Sequence, residues 1–210
     1  MDLRLLVGLL SACWRWLRSG GYLFEFHRFS FDISNPLPEG AIGTMLKGRH
    51  LLNTANMDFR FTDGTALGFY REGNFIAHDN DIDVDLLDCN DTVKLMVLFL
   101  KGGFSIGRFV FTNGRVQQIA FFDKSNIVFD IVFWWSDHSD QIFNYSEPGF
   151  VRSQNIKYFK TKTEFPVDGS TIPLPGHIEE WLISRYGIDW MTPKKYKGDW
   201  RDDCHDITRL

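Results

Sequence analysis

Cysteine is scarce in this 210-residue chain: Cys13, Cys89 and Cys204 are three, odd in number and far apart. That excludes a disulfide framework and, with no C-x-x-C pair, a thiolate metal knuckle, so a reducing, cytoplasmic setting is expected. Also missing is any apolar run of the roughly 18 residues that a membrane-spanning helix needs, and none is expected here. Positive charge is not in excess either. Lys and Arg number 23 against 27 Asp and Glu, a formal net charge of −4. Nucleic-acid backbones are held by clustered cations that release counterions, so nucleic acid is excluded as the main partner. One local basic group, Lys194, Lys195, Lys197 and Arg201, stands apart. No internal repeat or low-complexity segment is present.

What is abundant is apolar and aromatic: 44% hydrophobic residues, including 20 Phe and 7 Trp, with 24% charged. A chain of this length and composition builds a proper core, and residues 1–210 are expected to form one domain. Residues 3–17, LRLLVGLLSACWRWL, have the apolar stretch of a signal sequence, but Trp14, Arg15, Trp16 and Arg18 stand where a small-residue cleavage site should lie. Leu6, Leu10, Cys13 and Leu17 fall on one stripe and predict an amphipathic helix within residues 1–20. Two destinations stay open for it. It docks on the protein's own core or a dimer partner, or it lies on a membrane surface, which would make the protein peripheral at the inner membrane.

Further along, the apolar spacing of Ile42, Met45, Leu46, Leu52 and Met57 predicts a helix over 39–57, and Phe59–Phe61 a first short strand. Asp91 or Thr92 caps a helix to Lys101 that Gly102-Gly103 closes. Two β runs, 104–112 and 115–122, flank Asn113-Gly114, a strong hairpin signal. A third run covers 127–135, and short strands and turns fill 141–174. A helix then runs from near Gly176 to Gly187, and residues 194–210 read as a polar, mobile tail. His27 and His205 read as ordinary residues, and Asp137 and Asp140 as solvated.

The chemistry concentrates in residues 64–88, GTALGFYREGNFIAHDNDIDVDLLD. Alternation with Ile82, Val84 and Leu86 predicts a strand that puts Asp81, Asp83 and Asp85 on one face, with Asp79 just ahead. Like charges lined up this way need a cation, and carboxylate oxygens suit hard divalent ions. An EF-hand loop counted from Asp79 fails, because Val84 stands where Gly is required and Asn90 where Glu is required. Upstream, Gly64-Thr65 followed by Gly68 predicts a flexible turn whose N–H groups approach a phosphate, with Arg71 a bidentate donor beyond it. Asp130 is the one charge in IVFDIVFWW. Either its face is wet, or the carboxylate is paired or bound to metal, since burying it alone costs several kcal/mol.

The pattern G-T-x-L-G-x-x-R-x-x-x-F-I-x-x-D-x-D-I-D, with Tyr186-Gly187 and Asp189-Trp190-Met191-Thr192-Pro193 near the end, is similar to the signature of the LicD/fukutin family, phosphotransferases of the nucleotidyltransferase superfamily. The resemblance implies an α/β or α+β fold: a small mixed β-sheet backed by helices, with an antiparallel hairpin region and the Asp130 strand beside the acidic one. It implies metal-dependent transfer of a substituted phosphate, of the phosphocholine, ribitol phosphate or glycerol phosphate type, from a CDP-linked donor to a hydroxyl of a sugar or surface glycan. CMP leaves, and the setting is polysaccharide biosynthesis. By resemblance Asp81 and Asp83 bind Mg2+ or Mn2+, Asp130 is a third ligand or the base, and Asp79 is a further ligand or orients one. Gly64 and Thr65 hold phosphate, and Arg71 holds phosphate or stabilises the leaving group. Where the family usually has Pro-Trp, this chain has Ala77-His78, and Asn80 replaces a common Asp. His78 fills the tryptophan's space, or it contacts the donor or moves a proton. Two other functions stay open: transfer of a nucleotidyl group with release of pyrophosphate, and a noncatalytic glycan-binding or regulatory module with a structural Ca2+ site.

Overall fold

The sheet is assembled around β6 (Val128–Ser136), whose first eight residues are all buried. A strand this apolar needs neighbours on both edges and cover on both faces. In the computed structural model, which describes residues 23–25, 36–194, 201 and 204–210, it has both. The amphipathic helix expected within 1–20, His27, Lys195 and Lys197 lie outside the described residues.

On one edge of β6 runs β3 (Asp81–Leu87), the parallel pairing, and beyond it β2 (Phe59–Phe61), antiparallel. On the other edge lie β5 (Arg115–Phe122), β4 (Ser105–Thr112) and β1 (Leu23–Glu25), each antiparallel to its neighbour. The end of β6 passes to β7 (Gln141–Asn144), then β8 (Phe150–Asn155) and β11 (Ile207–Arg209). These nine strands form one mixed sheet, and β9 (Lys162–Val167) with β10 (Ser170–Pro175) makes a separate hairpin against β2. Asn113 and Gly114 both take positive φ, 53° and 72°, as a two-residue primed turn requires.

Helices α1 (Ala41–Thr54), α2 (Asp63–Glu72), α3 (Thr92–Lys101), α4 (Lys157–Lys160) and α5 (Ile178–Tyr186) complete the described residues. Asp91 caps α3 by accepting from the Lys94 N–H at 3.0 Å. Alternate residues of β5 and β6 give the core an aromatic layer: Phe99 of α3 stacks on Phe121 at 4.5 Å between centroids and lies 5.5 Å from Phe129. Helix α1 comes close to β6 because position 48 has no side chain. A Cβ there would stand 2.2 Å from the Phe129 ring. We expect Gly48→Ala to overpack this contact and cost about 1–3 kcal/mol, read as a lower melting temperature.

The mixed α/β architecture, the helical backing and the hairpin match the expectation. Two local expectations are corrected. The Gly64-Thr65 stretch is the first turn of α2 rather than a flexible turn, because Thr62 to Phe69 contributes apolar residues at helical spacing that pack inward. The end of the chain is not a mobile tail: β11 pairs with β8, and Cys204 and Asp206 are buried. His205 donates its N–H to the Arg185 carbonyl at 3.0 Å, and its ring lies beside Gly187.

Candidate active site

Two elements carry most of the site, and small residues fix how they meet. At the start of α2 a Cβ on Gly64 would stand 2.8 Å from an Asp79 oxygen, so only glycine admits that carboxylate. One turn later a Cβ on Gly68 would stand 2.6 Å from the Asn74 carbonyl and 2.8 Å from the Ile76 nitrogen. Those are backbone atoms with no rotamer to give. Gly68→Ala should therefore displace the 74–79 loop, lowering the melting temperature by the equivalent of about 1–3 kcal/mol. Between the glycines, Thr65 is buried and its hydroxyl accepts the Asp83 N–H at 2.9 Å. Of the residues expected to hold phosphate, Gly64 and Arg71 line the cavity, and Thr65 ties α2 to the acidic strand.

Strand β3 then presents its acids as the alternation predicts. Ile82, Val84 and Leu86 point into the core, and carboxylate oxygens of Asp79, Asp81 and Asp83 lie within 4.8 Å of one another. Asp83 is paired in register with Asp130 on β6, so the strands expected to be neighbours are adjacent at these two residues. Asp130 is 4% exposed; its Oδ2 accepts from Gln118 Nε2 at 2.5 Å and lies 3.7 Å from the Arg108 guanidinium. Its Oδ1 and the Oδ2 of Asp79 are buried with no hydrogen-bond partner. Asp85, next along the same face, sits beneath the cavity, fully buried beside Gln154.

Burial, and then the charges of the neighbouring acids, push Asp79 and Asp83 well above the usual carboxylate range. The same causes push Asp81 up to about 7, with Asp130 its leading charged neighbour. Burial also raises Asp130, against the opposing pull of Arg108 and Gln118. Bare buried oxygens and crowded carboxylates fit a hard divalent cation, which would let these groups hold their charge.

The acids open into a cavity of about 610 Å³ whose other walls are cationic. Arg71 lines it with Nη1 donating to the Trp190 carbonyl at 3.2 Å and Nε to Glu72 at 2.9 Å, and His78 is exposed at its edge. Arg108 and Lys194 line it too. The floor holds a charge cluster that sequence reasoning missed. Arg152 of β8 donates to both oxygens of Asp63, at 3.0 and 3.1 Å, and to Asp206. Arg185 of α5 donates to the same two acids, at 2.7 and 2.5 Å. Burial alone would raise Asp63, but the two guanidiniums hold it below the usual range. The Arg inside FVRSQN and the Arg inside IEEWLISRY gave no signal, since each stands among other polar residues.

A pH dependence follows. Asp81 and Asp85 both stand at about 7 when folded, above the value of about 4 for an unfolded aspartate. Their stabilising contribution is full below the unfolded value and is lost as pH rises through about 7. The metal-free protein should therefore melt at lower temperature at about pH 8 than at about pH 5.5, and saturating Mg2+ should shrink that difference. Scanning calorimetry with and without a chelator checks it.

The chain is 27% identical over 161 residues to the ribitol-5-phosphate transferase FKTN of Macaca fascicularis, and 26% identical over 161 residues to that of Homo sapiens; both matches cover 71% of this chain and 32% of the relative. The Mus musculus protein of the same name is 23% identical over 167 residues. The chain thus spans about a third of the length of the curated relatives it matches. No family model matches it. Among solved structures, the lincosamide antibiotic adenylyltransferase LnuA with lincomycin bound superposes with a TM-score of 0.47 and 16% identity, over 70% of this chain and 86% of that one. ANT(2")-Ia in complex with adenylyl-2"-tobramycin gives a TM-score of 0.40 and 12% identity, over 65% of this chain and 69% of that one. Among the described residues no helix is long and apolar enough to cross a membrane.

Proposed function

We propose that this protein transfers a substituted phosphate, of the ribitol phosphate, glycerol phosphate or phosphocholine type, from a CDP-linked donor to a hydroxyl of a sugar or glycan, releasing CMP. The observation that carries the reading is the meeting of Asp79, Asp81 and Asp83 within 4.8 Å beside an arginine-walled cavity. The curated relatives, ribitol-5-phosphate transferases by name, put CDP-ribitol first among donors to test.

Asp79, Asp81 and Asp83 would hold Mg2+ or Mn2+, with the unpartnered oxygen of Asp130 as a further ligand. A bound ion there neutralises charge that develops on phosphoryl oxygens, the main requirement in phosphoryl transfer. Around it, Gly64 would let backbone approach a donor phosphate, and Arg71, Arg108 and Lys194 would supply positive charge from the cavity walls. Arg71 is oriented by the Trp190 carbonyl on Nη1 and by the Glu72 carboxylate on Nε and Nη2, so a donor phosphate would take over the edge that Glu72 now holds. His78, at the cavity edge, would contact the donor. Asp130, raised by burial, is the group placed to take the acceptor's proton should it not bind the ion.

The experiment is incubation with Mg2+ and CDP-ribitol, CDP-glycerol or CDP-choline, each with a hydroxyl acceptor, following nucleotide release. CMP formed only with donor, metal and acceptor together is the expected result. Pyrophosphate released from CTP would instead establish nucleotidyl transfer, and stabilisation by Ca2+ with no nucleotide effect would establish a noncatalytic module.

A further inference from the structure

We infer that Gln118 is a positioning residue for Asp130: it clamps one carboxylate oxygen so that the other is presented to a cation held by the acidic strand. The inference rests on the cation-site reading of Asp79, Asp81 and Asp83, and adds a residue of β5 to it.

The geometry comes from one lateral row of the sheet. Asp83 pairs with Asp130, Asp130 with Ala120, and Ala120 with Arg108, so four strands contribute to a single line. Gln118 lies two residues before Ala120 on β5 and therefore points from the same face. Ala120, fully buried, is the small member of the row. Its methyl leaves the space beside Asp130 to the side chains of Gln118 and Arg108. Gln118 takes the nearer approach, 2.5 Å from Oδ2, with Arg108 at 3.7 Å from the same oxygen.

An ionised carboxylate only accepts, so the Gln118 amide must turn its NH2 toward Asp130, which fixes the glutamine as well. Oδ1 is then left bare and buried, on the residue in register with Asp83. A second clamp on that oxygen would satisfy the carboxylate and spoil it as a ligand. Oδ1 has no hydrogen-bond partner among the described residues and belongs to the residue beside Asp83, so it is the oxygen left for a cation held by Asp79, Asp81 and Asp83, whose own oxygens converge within 4.8 Å. Groups that orient a metal ligand commonly change metal affinity about 10–100-fold when removed.

The test is Mn2+ titration of the full chain, by calorimetry or by loss of the free-ion electron paramagnetic signal, for wild type, Gln118→Leu and Gln118→Asn. Leucine keeps the volume without a donor, and asparagine keeps the donor on a stem too short to reach. About tenfold weaker Mn2+ binding in both, with kcat lowered and donor KM nearly unchanged, is the expected result. Affinities within twofold of wild type, with only the melting temperature in chelator lowered, would show a structural role and overturn the inference while leaving the acidic site standing. Should Gln118→Leu not fold, Gln118→Asn alone decides between these outcomes. No saturable Mn2+ binding by the wild type would bring down the cation site itself, and this inference with it.

Discussion

Asp83→Asn is expected to lower turnover by roughly 10²- to 10³-fold while leaving the metal-free protein as stable as wild type or more so. The two effects take opposite signs if the carboxylate serves a bound cation rather than the fold, as proposed. Asp83 is crowded by Asp81 and Asp79, and burial makes that crowding costly, which is why its carboxyl stands so far above the usual range. Asparagine keeps the shape and removes the charge. The backbone tie from Asp83 N–H to Thr65 does not involve the side chain and survives. Melting curves at about pH 8 in chelator should therefore stay level or rise, whereas the upward shift produced by Mg2+ or Mn2+ in wild type should largely vanish. Wild-type turnover in the variant, or an undiminished metal shift, would remove Asp83 from the site.

Asp63→Ala should have the largest effect on stability. Its carboxylate accepts from two buried guanidiniums, both of which also donate to Asp206. Removing it leaves an excess of buried positive charge, for which a loss of about 3–5 kcal/mol is typical. An exposed ion pair would cost under about 1 kcal/mol, so the magnitude itself discriminates. Urea unfolding, with the midpoint shifted and the slope unchanged, is the measurement. Asp63→Asn should fall between, since its amide oxygen still accepts one of the bonds. Activity should fall with stability in both, because Asp63 begins the turn that carries Gly64 against Asp79.

Residues local in sequence were readable before any coordinates. Strand β2, helix α3 and the Asn113-Gly114 hairpin fall where period and turn chemistry put them, and the acids of β3 share the face that their alternation demands. Asp130 drew attention because one charge among eight apolar residues needs a reason, and it lies beside Asp83. The ion cluster beneath the cavity was invisible for the opposite reason. Asp63, Arg152, Arg185 and Asp206 come from four separated segments, and each alone looks like an ordinary surface charge. The last strand was missed with it: Ile207–Arg209 is too short to show a period, and it is held by its pairing to β8 and by the buried Asp206. The Gly64-Thr65 stretch was misread as a turn because a threonine after glycine looks like one, whereas the apolar residues around it make the stretch helical.

The one parallel pairing among the described residues, β3 with β6, has a kinetic corollary. Parallel neighbours need a long crossover, and between β3 and β6 lie α3 and the whole β4–β5 hairpin. Docking Asp130 beside Asp83 therefore waits until that excursion has closed, a high-contact-order step of the kind that slows folding. An ion bridging the two strands would act as a latch on the closed excursion, so loading it should slow unfolding more than it speeds refolding.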